Sequence, residues 1–480
     1  MIFSTVNAKF FSKKKLRLPW KNGFFEMKLI NYFRSEAFLR GEHPPTNKEA
    51  SAGKKITRLP FTERYVVPLS QHIGKEAKPV VKVGERVLRG QPIAAADGWL
   101  SVPHHAPVTG RVKGIELFPS ARGVWQRSII LEAEAGSSQE QIWGRDLPLE
   151  SAEPPDIIQA IWDCGMVGLG GAAFPAHAKL SVPKQAEVHT LLVNGCECEP
   201  YLTCDHRTML ENPQDLLRGI RYAMKACGAV RAIIGIEDNK ADAVNIVREA
   251  IAQLPDFEGE ILCEMVPTKY PQGSEKMLIM ALFGVELASG ALPISLGMVV
   301  NNVGTLTALG KLLPGGQGLV ERVVTVTGPG VKKPGNYIVP LGTPVRFVLE
   351  YAGLEDAESH QVILGGPMMG QAIASLDVPI TKGTSGVLVF RKVDMQAKDS
   401  LQTYPCIKCG ECVESCPMGL NPSALGMLAY KREYELMGSR YHLGDCFECG
   451  CCTFVCPSNI PLVQQFRVSK QILRERAASQ

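Results

Sequence analysis

Residues 406–417 read CIKCGECVESCP and residues 446–457 read CFECGCCTFVCP, so the pattern C-x2-C-x2-C-x3-C-P occurs twice within about fifty residues. With 15 cysteines in 480 residues, four at these fixed offsets arise by chance at on the order of 10⁻⁶ per start position. The spacing lets a tight loop wrap three thiolates around one face of a cubane, while the fourth cysteine, turned away by the proline, reaches the other cluster. Cys406, Cys409, Cys412 and Cys456 are thus assigned to one [4Fe–4S] cluster, and Cys446, Cys449, Cys452 and Cys416 to a second. Structural zinc prefers two C-x2-C pairs, and disulfides suit short secreted chains, so neither accounts for the pattern. Cys451 has no place in either quartet. Between the motifs, Leu425, Met427, Leu428, Tyr430, Tyr434 and Leu436 recur at roughly helical spacing from Ser423 to Tyr441, which predicts a helical two-cluster domain.

Two hundred residues upstream the chain becomes glycine-rich: Gly165 to Leu180 reads GMVGLGGAAFPAHAKL. Gly168, Gly170 and Gly171 leave backbone N–H groups open to an anionic ligand, and Lys179 adds a formal charge beyond them. An isolated glycine cluster is equally a tight turn between packed elements, and this one is neither a GxGxxG nor a Walker loop. The apolar run Leu191-Leu192-Val193 then reads as a buried strand ending in NGCECEP, which gathers polar groups at a strand's C-terminal end, where open α/β sheets hold their ligands. The spacing of Cys196, Cys198 and Cys204 matches no cluster motif. Two further polar knots follow, YPQGSE at Tyr270 to Glu275 and VVNNVGT at Val299 to Thr305.

In that order these four stretches resemble the flavin- and NADH-binding subunit of respiratory complex I. The resemblance implies FMN over Gly168, Gly170 and Gly171, its phosphate near Lys179, with Asn194, Gly273, Asn301, Asn302 and Thr305 around ribityl and ring. It also implies NADH as substrate, with Phe174 facing the nicotinamide nucleotide and Glu199 and Glu275 at its ribose or adenosine portion. Ala173 departs from the pattern, which has a glycine there, and Cys196 and Cys198 replace more polar residues.

Pro79 to Ile115 alternates short strands with glycines, as in biotinyl and lipoyl carrier domains, but His104-His105-Ala106-Pro107 occupies the expected hairpin tip where those carry their attachment lysine. Arg322 to Val348 alternates apolar and polar residues before the GGPMMG turn at Gly365 to Gly370 and resembles the ligand-binding β-grasp module of complex I. With GEHPPTNK at Gly41 to Lys48 and PLSQHIG at Pro68 to Gly74, the whole from Gly41 to about Val468 resembles the RnfC family, the C-type subunits of the Rnf ion-translocating oxidoreductases.

The expected fold is multidomain α+β: a basic N-terminal extension at 1–40, a barrel-sandwich module at 41–150, and an α/β flavin/nucleotide domain at 151–315. A β-grasp-like module at 316–395, a helical two-cluster ferredoxin domain at 396–468 and a tail at 469–480 complete it. A net charge of +4 from nearly balanced acids and bases gives no reason to expect nucleic acid. The most apolar long window, Met277 to Val300, is broken by Glu286, three glycines and Pro293, so no segment is expected to cross a bilayer. The basic stretch Lys13 to Lys21 lacks the apolar run of a secretory signal, which predicts that the chain stays in the cytoplasm, and Met27 offers an alternative start. The resemblance implies a peripheral subunit on the cytoplasmic side of a bacterial inner membrane, part of a translocase of NADH:ferredoxin oxidoreductase type. There it would pass electrons from NADH through FMN and the clusters to membrane subunits and, indirectly, ferredoxin. The rival expectation is an iron–sulfur relay and scaffold subunit with a vestigial nucleotide pocket.

Overall fold

The computed structural model describes residues 15–20, 23–28, 38, 40–141, 144–183, 185–254, 259–354, 360–391 and 402–479. Most of the N-terminal extension lies outside them, apart from the backbone of a hairpin that pairs Lys15–Trp20 with Gly23–Lys28.

Residues 64–133 form two small sheets. Arg64–Pro68, Trp125–Ala133, Gly110–Pro119 and Arg86–Val87 make one, in that order, and Lys78–Pro79, Pro92–Ala95 and His104–His105 make the other. Alternate residues such as Tyr65, Val67, Ile129 and Leu131 point inward and meet Val87, Ile93 and Val112 in a closed core. His104 and His105 are not a hairpin tip. They form a buried edge strand, with His104 Nε2 3.0 Å from Leu69 O, and burial pushes His105 down to about 3. Two neutral rings inside the barrel replace the exposed attachment point of a carrier domain.

The α/β domain is built on a parallel sheet ordered Glu260–Val266, Arg231–Glu237, Thr190–Asn194, Met298–Asn302. Side chains of its central strand alternate between two cores, Leu191 and Val193 in one and Leu192 in the other, as a sheet covered on both faces requires. Helices Pro213–Cys227 and Val303–Leu312 cover one face together. A Cβ on Gly219 would sit 1.7 Å from Leu306 O and one on Gly310 1.8 Å from Asp215 O, so reciprocal glycines let the two backbones touch. The apolar window that follows is short helix Glu275–Phe283, then loop, then edge strand.

The third module is a six-stranded sheet, ordered Gln371–Ile373, His360–Leu364, Gly386–Arg391, Glu321–Thr327, Gly335–Pro340, Thr57–Arg58, packed on helix Val345–Tyr351. Its last strand comes from the region expected to belong to the barrel. Residues 41–58 instead run across the other modules, because their backbone finds its partners there: Glu42 pairs with Tyr270, Tyr201 N donates to Thr46 O at 2.8 Å, and Thr57 pairs with Tyr337.

In the C-terminal module each motif is a loop followed by one helical turn, Glu411–Glu414 and Cys451–Phe454. The two halves repeat in their backbone angles: Lys408 and Glu448 lie at φ +59° and +64°, Gly410 and Gly450 both at +90°, Gly419 and Asn459 at +64° and +51°. The segment between the motifs is two helices, Pro422–Tyr430 and Tyr434–Ser439, broken at left-handed Arg432. They pack through Leu425 and Met437 on Val463 and Phe466 of helix Leu462–Ala478. That helix runs through the expected boundary at 468, so the tail is its second half. No helix among the described residues is long and apolar enough to cross a membrane.

Candidate functional site

In the parallel sheet the chain begins at Thr190–Asn194, moves outward through two strands and returns to the opposite side for Met298–Asn302. These two strands therefore flank a topological switch point, and the crevice beyond their C-terminal ends is where such sheets bind ligands. Asn194 and Asn302 are paired across that end.

Three polar stretches converge there. Asn194 Nδ2 donates to Gly273 O at 2.6 Å, and Gly273 N donates to Cys198 Sγ at 3.3 Å, tying NGCECEP to YPQGSE. Asn302 caps helix Val303–Leu312 by accepting from Thr305 N at 3.2 Å, and its amide donates to Asp205 Oδ2 at 2.6 Å. Burial and the neighbouring Glu197 push Asp205 up to about 7. Glu197 in turn accepts from the N–H groups of Asp205 (2.7 Å) and His206 (3.1 Å). Glu197, Cys204 and Asp205 lie close enough together to hold a metal, but these hydrogen bonds already occupy both carboxylates.

The glycine loop sits over the crevice. Gly168 N donates to Phe174 O at 2.8 Å and Ala173 N to Gly168 O at 3.2 Å, closing it into a tight turn. Gly170 rests on Asn302, where a Cβ would approach to 3.3 Å, while Gly171, at φ +112°, faces open space. Ala173 keeps the left-handed conformation (φ +51°) that suits the glycine of the complex I pattern, at a cost of about 1 kcal/mol. The domain's own helix and two other modules hold the loop from below. Leu169 N donates to Thr305 Oγ1 at 2.9 Å, Leu169 O accepts from Arg322 at 3.1 Å, and Ala173 O accepts from Ile73 N of the barrel at 3.1 Å.

Two buried amide groups beside the crevice, Asn301 Nδ2 and Gln272 Nε2, have no protein partner. Orphaned donors are rare because each costs about 1–3 kcal/mol, and with the open backbone at Gly171 they fit a flavin's carbonyl and ribityl oxygens. Lys179 forms an ion pair with Glu275, both partly exposed at the rim. Glu199 turns away: its carboxylate accepts from the N–H groups of Met368 (3.1 Å) and Met369 (2.8 Å), beside the Tyr270 hydroxyl, and burial pushes it up to about 7. Asp205, Gln272 and Tyr270 join the residues expected from sequence. The last two belong to the YPQGSE stretch, whose polar character flags it, whereas nothing in the sequence marks Asp205.

The eight cysteines of the doubled motif group across the two loops. Burial raises the Cys412 thiol, as do its neighbours Cys409, Cys456 and Cys406, and Cys452 is raised by burial, then by Cys449, Cys446 and Cys416, and last by Cys412 of the first motif. Cys456 thus lies with the first motif's triplet and Cys416 with the second's. The donor set, eight thiols in crossed quartets on repeated left-handed turns, fits two cubanes. The loops differ in surroundings. Residues 402–409 are all exposed, whereas the second loop is tucked against the α/β domain and the six-stranded module: Tyr270 Oη donates to Cys449 O at 2.5 Å, and a Cβ on Gly450 would lie 2.7 Å from Met368 O.

A glycine loop over a switch-point crevice, joined to a two-cluster module, defines a flavin-binding iron–sulfur protein. Residues 161–311 match the Nuo51 FMN-binding domain, 36–135 the RnfC barrel sandwich hybrid domain, 323–372 the SLBB domain and 405–460 the 4Fe-4S dicluster domain. FMN and two [4Fe–4S] clusters are the cofactors of this chain. It is 38% identical over 451 residues to the C-type subunit of the proton-translocating ferredoxin:NAD(+) oxidoreductase complex of Clostridium ljungdahlii, covering 93% of this chain and 95% of the relative. Against the Na(+)-translocating counterpart of Acetobacterium woodii it is 37% identical over 440 residues, covering 92% and 98%. The corresponding protein of the ion-translocating oxidoreductase complex of Rhodobacter capsulatus is 38% identical over 454 residues, covering 93% and 85%. The chain belongs to this family, the RnfC subunits of the ion-translocating oxidoreductase complexes. Among solved structures, an NAD+-reducing [NiFe]-hydrogenase in the H2-reduced state shares the fold at 22% identity with a TM-score of 0.50, over 67% of this chain and 63% of that one.

Proposed function

We propose that this chain takes electrons from NADH at the crevice and delivers them through the two clusters to membrane subunits of the complex, on the cytoplasmic side, coupled there to ferredoxin and ion movement. FMN, when bound, accepts a hydride and releases its electrons singly, and each cubane carries one. The chain's own residues do the rest. Gly170 and Gly171 expose backbone for the flavin, Gly168 closes the turn that presents them, Asn301 and Gln272 supply free donors, and Asn194, Gly273, Asn302 and Thr305 hold those surfaces in place. Phe174, half-buried at the loop's end, offers a face for the nicotinamide nucleotide. Lys179 would exchange Glu275 for the flavin phosphate.

The observation that carries the reading is the hydrogen bond from Tyr270, at the crevice, to the carbonyl of Cys449. On this reading the second cluster is the first electron acceptor, and the cluster of Cys406, Cys409, Cys412 and Cys456, on its exposed loop, faces the next carrier. The relay-only alternative draws on the Lys179–Glu275 pair, which neutralises the charge a phosphate would use. Anaerobic purification with iron, sulfide and flavin assays, followed by NADH, separates them. The proposal expects about eight irons and one FMN, with flavin and cluster absorbance both bleached; eight irons with no flavin and no response to NADH would establish the relay.

A further inference from the structure

Glu199 has a carboxylate with two acceptor oxygens, and both are spent on a neighbouring module. The N–H groups of Met368 and Met369 belong to the turn Gly365–Gly370, whose other contacts lead to the cluster module. Met368 O presses on Gly450, where a Cβ would come within 2.7 Å, and Met369 O accepts from Arg467 of the C-terminal helix at 3.3 Å. Gly366 exists for the same joint: a Cβ there would lie 2.1 Å from Glu199 Oε2. The turn is thus clamped between the NGCECEP loop on the crevice side and the loop carrying Cys446, Cys449 and Cys452 on the other.

We propose that Glu199 is a positioning residue that holds the Gly365–Gly370 turn against the second cluster's loop, fixing the separation between flavin crevice and cluster, rather than a contact of the nucleotide. This rests on the proposed electron route. The step concerned is electron transfer, one electron at a time and twice for each hydride taken in: the flavin side is oxidised, the cluster side reduced, and the proton left behind by the two electrons is released to water. Misplacing the turn lengthens that transfer without touching the hydride step.

The test uses the full, cofactor-replete chain and its Glu199→Ala, Glu199→Gln and Gly366→Ala variants under anaerobic stopped flow, with NADH and, separately, with the flavin photoreduced directly. Glu199→Ala should keep its flavin and iron, and take up NADH within about twofold of the parent rate and KM. Its clusters should bleach slower by about tenfold or more. Hydrogen exchange at the Met368 and Met369 amides should accelerate. Gly366→Ala, which drives the turn off the same carboxylate, should do likewise. Glu199→Gln, which keeps one oxygen for one N–H, should fall between, and it decides the matter if the alanine variant loses a cofactor. A raised KM for NADH with unchanged cluster bleaching would overturn the proposal, as would faster amide exchange with no change in rate. Failure of NADH itself to reduce the parent flavin would count against the donor alone, since photoreduction still reports the flavin-to-cluster step.

Discussion

Lys382 lies where three modules meet. Its Nζ donates to Pro103 O of the barrel at 2.9 Å and to Gly165 O below the glycine loop at 2.7 Å, while its own carbonyl accepts from Arg322. Burial pushes its ammonium down from the ordinary 10.5 to about 7. Between those values the unfolded chain holds a proton that the folded chain lacks, so this group makes folding stability rise with pH across that window and fall as pH drops towards 7. Lys382→Met should lower stability at pH 7 by about 1–3 kcal/mol for each carbonyl left unpaired. Its gain in stability from pH 7 to pH 9 should be smaller than the parent's. Denaturant unfolding at both pH values checks this, and an undiminished gain would show that the amine is not the titrating group. Nothing in the sequence marks Lys382, because its partners stand 279 and 217 residues away. Lys48 closes the GEHPPTNK stretch, and its role is likewise long-range: it donates to the carbonyls of Glu197, Glu199 and Leu202 and so shapes the NGCECEP loop.

The two-cluster domain was legible because thiolate geometry fixes spacing along the chain itself. The strand Thr190–Asn194 was equally legible, since a fully buried parallel strand must be a short apolar run. What could not be read was which cluster loop faces the crevice, as the two motifs share one cysteine spacing and their packing partners lie far away in the chain. That difference is testable by removing one ligand at a time. Cys409→Ser should leave about four of eight irons, and NADH should still bleach them, because the remaining cubane is the one beside Tyr270. Cys449→Ser should also leave about four irons, but these should respond to NADH only slowly, the nearer acceptor being gone. Iron assay with stopped-flow absorbance reads both. Equal bleaching in the two variants would reject the order of clusters.

At the scale of the whole molecule, the cluster module touches the α/β domain directly, through Tyr270 on Cys449 O and through Ser289 Oγ, which donates to Asp445 at 2.6 Å, and two further joints brace it. One is the Glu199 turn. The other is the strap at Gly41 to Lys48, where Gly41 N donates to Ser415 O at 3.1 Å, beside Cys416, and Glu42 exchanges backbone hydrogen bonds with Tyr270 at 2.7 and 2.8 Å. Lys269 completes it by donating to Phe38 O at 2.7 Å with its ammonium 4.5 Å from the Phe38 ring centre. The same Tyr270 therefore receives the strap on its backbone and reaches the second cluster's loop through its hydroxyl. A chain that begins at Thr46 loses the strap's pairing but keeps Lys48 and the loop it supports, so flavin and iron contents should remain at parent levels. Electron transfer from flavin to cluster should slow by about tenfold, as expected when a reacting pair loses its fixed geometry. Combined with Glu199→Ala, the two losses should exceed the product of the separate effects, because removing either joint leaves the other to brace the module and removing both leaves only the hydrogen bonds of Tyr270 and Ser289. Simple multiplication of the rates would instead show that each joint acts on the transfer independently, and an unchanged rate in the shortened chain would assign the geometry to the Glu199 turn alone.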